Sequence, residues 1–178
     1  MSQDNLLKKI WDKAQLEITK FSSKELINFL NSTEANQRLY GLVLIRKQIK
    51  DGDFSNSYLE LAIKRIEDSD NNCRWQSIII VGEFIEKMPE KVWDVILKYG
   101  NSQDEDMRNA IATILLEHLF EFDFNQYFAK LKNEIRNGNV QLIDTLKGCS
   151  TFGVSDYQKQ IDNFILNIER GKNKVNAS

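Results

Sequence analysis

The sequence predicts an all-α protein, and three observations carry that expectation. One Pro and eight Gly in 178 residues leave few breaks, and both residue types are costly inside helices. Apolar side chains recur at the three- and four-residue spacing of amphipathic helices. Period-two alternation is confined mainly to Phe120, Phe122 and Phe124, too short a stretch to imply a sheet. A composition of 42% hydrophobic and 28% charged residues fits a globular domain. A chain of this length buries about 70% of its unfolded surface.

The elements follow in order. A first helix over residues 3–20 gathers Leu6, Leu7, Ile10, Trp11 and Ala14 on one face. Four later starts carry the S-x-x-E/Q capping box: Ser22 with Glu25, Ser57 with Glu60, Ser102 with Glu105, and Ser155 with Gln158. Leu59, Ala62, Ile63 and Ile66 mark another apolar stripe, and Phe128, Leu131 and Ile135 a third. Tyr157, Ile161, Phe164, Ile165 and Ile168 outline a terminal helix. Pro89 suits a first helical position, where its missing N–H costs nothing. Gly52, Gly100 and Gly138 each follow a periodic segment and are placed to close it in the left-handed conformation. Eight or nine helices with short polar turns result, and a loose tail follows about Gly171.

Three segments align on an arginine: Ser32-Thr-Glu34-Ala-Asn-Gln-Arg38, Asp68-Ser-Asp70-Asn-Asn-Cys-Arg74 and Ser102-Gln-Asp104-Glu-Asp-Met-Arg108. Each has Ser or Asp six places before the arginine and an acid four places before it. Each is preceded by an amphipathic helix and followed by a more uniformly apolar one. A fixed period of helix–turn–helix units marks an α-solenoid. One helix pair cannot bury both of its apolar sides alone, so neighbouring pairs stack over a shared core. Gly41, Ser77 and Ala110 are small residues placed for close helix approach. The acid-to-arginine spacing is the favourable i, i+4 orientation, contributing about 0.2–0.5 kcal/mol per pair.

On the D-x-D-x-x-C-R run Asp68–Arg74 and its two counterparts, residues 22–124 resemble the HEAT repeats of the wider armadillo-like α-solenoid family. The resemblance implies a short right-handed α–α superhelix of about four helix pairs with capping helices at both ends. Residues 1–21 would form the N-terminal cap. Residues 22–52, 53–88 and 89–124 would be repeats, 125–171 a degenerate repeat with the C-terminal cap, and 172–178 a flexible tail. In residues 125–150 the expected arginine position holds Gln141, with no acid four places earlier. The resemblance also implies a structural ladder of Glu34, Arg38, Asp70, Arg74, Asp104 and Arg108.

Charge and motifs narrow the function classes. A formal charge of −2 and pI near 5.6 give no bulk case for nucleic acid. Cys73 and Cys149 are too few for a disulfide framework or a thiolate zinc site. The apolar run Leu39–Ile45 is far short of a membrane span, and the first fifteen residues carry no signal-peptide stretch, so a cytoplasmic location is expected. No calcium loop or H-E-x-x-H spacing points to a metal, and no cofactor motif is present; the stretch Gly148–Gly153 lacks the lysine of a P-loop.

Several side chains have two readings. His118 is either a general base beside Glu117 and Glu121 or a partly buried histidine of the stack. Asp104, Glu105, Asp106, Glu117, Glu121 and Asp123 make the third repeat acidic, either as the end of a binding groove or as a solvated face. Phe120–Phe128 reads as core packing or as an exposed aromatic anchor. Trp75, flanked by Arg74 and Gln76, is the better interface candidate, while Trp11 and Trp93 look like core or cap packing. Both thiols read as buried and inert.

The expected function is non-enzymatic: a concave, locally acidic helical surface that binds another protein with a basic surface, as an inhibitor or immunity-type protein would. The candidate partner-binding residues are Trp75, Asp104, Asp106, Glu117, His118 and Glu121. The alternative is a nucleic-acid-acting enzyme similar to the alkylated-DNA glycosylases built on HEAT-like repeats, with Trp75, Trp93 and the third-repeat acids in its groove. A lyase for protein-bound pigment also uses such repeats, but no residue selects it.

Overall fold

Helices account for 75% of the protein, and no strand occurs among the described residues. The computed structural model describes residues 3–17, 20–150 and 153–175; the side chains at 3–7, 155 and 171–175 are not described. The helices are α1 (Gln3–Gln15), α2 (Ser23–Leu30), α3 (Ala35–Lys50), α4 (Asn56–Arg65), α5 (Asn71–Gly82), α6 (Pro89–Tyr99), α7 (Glu105–Ala110), α8 (Glu117–Arg136), α9 (Leu142–Lys147) and α10 (Ser155–Val175). A π-helical segment, Ile111–Leu116, joins α7 to α8. The chain divides into two compact units, Met1–Met88 and Pro89–Ser178.

In the first unit, α2 packs on α3 and α4 on α5, with α2 beside α4 and α3 beside α5. The second members are the apolar ones. Every residue from Arg38 to Ile45 on α3 is buried, and α5 buries Cys73, Gln76, Ser77, Ile78, Ile80 and Val81. Such helices have no solvent face to spare and need neighbours on several sides. Helix α1 supplies one for α3. It ends at Gln15, a turn earlier than the expected residue 20. Trp11 sits half-buried on α1 beneath Arg46 and Lys50, 5.4 Å from each cation. Gly41 permits the α2–α3 approach: a Cβ there would lie 2.8 Å from Cβ of Phe29.

The helix starts follow the expected chemistry with two shifts. Ser22 and Glu25 form a complete capping box. At α4 the cap is Ser55, which accepts from Ser57 N–H, and Ser57 falls inside the first turn. At α7 the cap is Asp104, which accepts from the N–H groups of Asp106 and Met107; Ser102 instead accepts from Asp104 N–H. In both cases an oxygen-bearing residue two positions from the expected serine takes the free amides of the first turn instead. The Ser155 side chain lies outside the described residues. Gly52 and Gly138 take the positive φ expected of helix closers, at 96° and 114°. Gly100 is required for space instead: an added Cβ would sit 2.6 Å from the Ile96 carbonyl oxygen and 2.9 Å from Leu142.

The three aligned arginines build the same turn. Arg38 donates to the Ser32 carbonyl, Arg74 to the Asp68 carbonyl and Arg108 to the Ser102 carbonyl, in every case six residues back. In the first unit this arginine also reaches the turn before α5. Arg38 forms a forked pair with Asp68, Nε and Nη2 lying 2.8 and 2.7 Å from the two carboxylate oxygens. Both side chains are almost fully enclosed, 9% and 2% exposed. Glu34, the acid four places before Arg38, is exposed and makes no side-chain cap bond. The enclosed partner of Arg38 is therefore the acid at the head of the following turn, not Glu34. Asp70, four places before Arg74, caps α5 by accepting from Cys73 N–H.

Burial, the largest influence on Asp68, raises its pKa, but hydrogen bonds from Arg38 and the Asp70 N–H, with the charges of Arg38 and Arg65, outweigh it and hold it below the ordinary aspartate value. A carboxylate lowered in this way stabilises the fold above the ordinary value and loses that contribution as the pH falls through the lowered one.

In the second unit the π segment packs against α6, α8 and α9, and α9 against α10. Helix α8 is interrupted at Asp123, whose φ and ψ of −156° and 88° are not helical. Its carboxylate accepts from Gln126 N–H and restarts the helix. After Arg136 the chain turns through Gly138 into α9, retaining the helix–turn–helix outline. Glu90 on the first turn of α6 ties that helix to α8, accepting from Lys130 at 2.6 Å and the Tyr127 hydroxyl at 3.0 Å. Helix α10 continues to Val175, so the expected tail from residue 172 is helical that far; residues 176–178, and the side chains of Lys172 and Lys174, lie outside the described residues.

Removing one partner of an enclosed ion pair leaves the other charge buried and unpaired. Asp68→Ala and Arg38→Ala should each destabilise the first unit by about 3–5 kcal/mol in urea unfolding. Glu34→Ala should change stability by no more than about 0.5 kcal/mol, as expected at an exposed position.

Candidate functional site

The second unit contains a cavity of about 180 Å³ lined by Glu117, Phe120, Glu121, Val154 and Tyr157. Its position follows from the local sequence. Ile111, Thr113 and Ile114 concentrate β-branched side chains within one turn, and the Thr113 hydroxyl donates at 2.8 Å to the Asn109 carbonyl. That carbonyl is the usual α-helical acceptor of the Thr113 N–H, so the hydroxyl competes with the backbone ladder there. The helix widens to π geometry over Ile111–Leu116. Single-turn π segments of this kind often accompany functional sites.

The wider turn carries an extra residue and rotates everything after it. Continued α-periodicity from Ile111 and Leu115 places His118 beside the apolar face. The structure instead exposes His118 and buries Glu117, which is 6% exposed. The expected partly buried histidine is therefore corrected, and so is the expectation of Glu117 as a surface acid.

Glu117 accepts a 2.5 Å hydrogen bond from Ser150 N–H. Its second oxygen accepts none from a described residue. Burial, the largest influence, raises the Glu117 pKa and the neighbouring charge of Glu121 adds to it; the Ser150 N–H and the charge of His118 act the other way. Cys149 is enclosed beside it, and burial followed by the Glu117 charge pushes its thiol pKa upward. Burial likewise pushes Cys73 up to about 12. Neither cysteine has the lowered pKa that a reactive thiolate needs.

The aromatic run forms a stacked wall behind the carboxylate. Phe120, Phe124 and Phe128 are buried and Phe122 is exposed. Phe124 lies between Phe128, 4.9 Å away, and Tyr157 of α10, 3.9 Å away and parallel within 6°. Phe120 meets Phe124 edge-on at 5.3 Å. Core packing accounts for the run, with Tyr157 carrying it to the cavity.

The other candidates separate. Asp104, Glu105 and Asp106 are exposed at the start of α7, roughly three helical turns from Glu117. Glu121 is exposed at the cavity mouth. Trp75 is half-buried, but its neighbour Gln76 is buried, with an amide nitrogen unpartnered among the described residues. Trp93 is buried, its ring 5.9 Å from that of Tyr127. Residues 151 and 152, within the expected Gly148–Gly153 turn, lie outside the described residues.

A second cavity, of about 150 Å³, lies in the first unit beside Gln48. Its polar groups are largely paired with one another: Phe21 N–H donates to Gln48 at 2.8 Å, Gln48 donates to Tyr58, Lys20 pairs with Asp53 and Lys47 with Asp51. The Glu117 cavity differs in holding a buried carboxylate with an unused oxygen. Sequence reasoning missed it because the π turn that buries Glu117 has no simple periodic signature.

No group of three or more metal-ligating side chains occurs among the described residues, and none of their helices is long and apolar enough to cross a membrane. Compared with family models, curated proteins and solved structures, the chain matches none.

An acid whose pKa is raised on folding contributes stability below its ordinary value and loses it as the pH rises through the raised one. Glu117→Gln retains an acceptor for Ser150 N–H without the buried charge. It should melt above the parent protein at pH 7, and the difference should shrink towards about pH 4. A lower melting temperature at pH 7 would contradict the assigned burial cost.

Proposed function

We propose that the chain is a short α-solenoid of HEAT-like repeats that serves as a non-enzymatic docking module for a protein with a basic surface. The observation that carries the solenoid reading is the turn built three times, each with an arginine on the carbonyl six residues back. In the first unit it comes with two helix pairs whose first members adjoin, as do their second members. Solenoids provide extended surfaces without needing catalytic groups.

The docking reading rests on the exposed acids of the second unit, Asp104, Glu105, Asp106 and Glu121. Single-sign charge on an open surface steers an oppositely charged partner and speeds encounter. His118 is exposed on the same helical run, and Trp75 adds a half-buried aromatic edge in the first unit. Inhibition of a basic target, as by an immunity-type protein, is the concrete form of this reading. The glycosylase-like alternative loses support, because a buried Trp93 has no open face on which to stack a base.

Affinity capture on the purified chain tests the proposal. A basic protein should be retained at low salt and released at high salt. A combined Asp104→Asn, Asp106→Asn, Glu121→Gln variant should associate with it about tenfold more slowly. Retention of nucleic acid, or of a partner indifferent to both salt and the variant, would contradict it.

A further inference from the structure

We propose that the Glu117 cavity binds an alkylammonium group, either a free primary amine or the side-chain end of a lysine. Glu117 is enclosed in the unit, lines the cavity, and holds one oxygen with the Ser150 N–H while the other accepts no hydrogen bond from a described residue. That second oxygen is not among the enclosed polar atoms left without a partner, so it opens onto the cavity, where an entering donor can reach it. A cation would bind there more tightly than a neutral donor, because hydrogen bonds between ionised groups are the stronger ones.

The rest of the lining fits the same ligand. Glu121 at the mouth adds a second negative charge. Phe120 and Tyr157 supply apolar surface for methylenes and aromatic faces that attract cations. Their rings are already fixed by Phe124, which both contact, so the wall needs no ordering when a ligand enters. At about 180 Å³ the cavity exceeds what one water needs and accommodates a short alkyl chain. An anion would meet two carboxylates, and a metal ion lacks a ligand set among the described residues. The proposal does not rest on the docking reading, since a free amine tests it without any partner.

Titration of the whole chain by amide NMR is the test, with n-butylammonium as probe and 1-pentanol as its neutral counterpart. Butylammonium should shift the Ser150 and Val154 amides saturably, with Kd of about 1–10 mM, and pentanol should not. Glu117→Gln should weaken binding at least about tenfold and Glu121→Gln about threefold. Both changes are near-isosteric, and Glu121 is exposed, so its variant keeps the test open should Glu117→Gln fail to fold. A capped lysine, Nα-acetyl-lysine methylamide, distinguishes the sources. Binding equal to butylammonium indicates a lysine side chain of a partner, and exclusion indicates a free amine. Equal binding of pentanol, no saturable shift, or affinity unchanged in both variants would overturn the proposal.

Discussion

The enclosed pair between Arg38 and Asp68 is the constraint on which the first unit depends. Its two charges have left water almost completely, which is tolerable only if every donor and acceptor is used. They are used economically. The guanidinium grips Asp68 with two nitrogens, while its third nitrogen closes the turn before α3 on the Ser32 and Thr33 carbonyls. Asp68 in turn accepts from Asp70 N–H and fixes the turn before α5. One side chain thus sets two consecutive turns, and with them the spacing at which α3 and α5 share their apolar faces. The same arginine-on-carbonyl turn recurs at Arg74 and Arg108.

Much of this was legible in sequence terms because it depends on local rules. Helix content follows from few prolines and steady three-to-four spacing, and the Ser22–Glu25 box from a motif. The Arg38 partner was less legible. Glu34 stands at the favoured i−4 position, but a short surface pair has little energy to offer, whereas Asp68 is carried into reach only once the two helix pairs are packed. Spacing along one helix cannot report a contact made between two.

The site was harder still. The buried carboxylate arises from a one-residue change of register, and that change depends on a π turn seated among α6, α8 and α9. Predicted on α-geometry, Glu117 and His118 exchange places. The crowding of Ile111, Thr113 and Ile114, with threonine able to bond back to Asn109, is the sequence feature that could have flagged the turn. Sequence leaves the aromatic run between core packing and an exposed anchor; all but Phe122 of its phenylalanines pack inside, and the extension through Phe124 to Tyr157 on α10 joins residues more than thirty positions apart. The helical frame is therefore visible at the level of sequence, and the change of register that builds the cavity is visible only after packing.

Native-state hydrogen exchange gives the most direct measure of the central claim, that the Arg38–Asp68 pair couples α3 and α5 into one packed body. Amides from Leu42 to Ile45 and from Ile78 to Val81 should exchange slowest in the first unit and share one opening free energy. In Asp68→Ala both sets should accelerate together by the same factor. Acceleration of one set alone, or different opening free energies in the parent protein, would contradict that coupling.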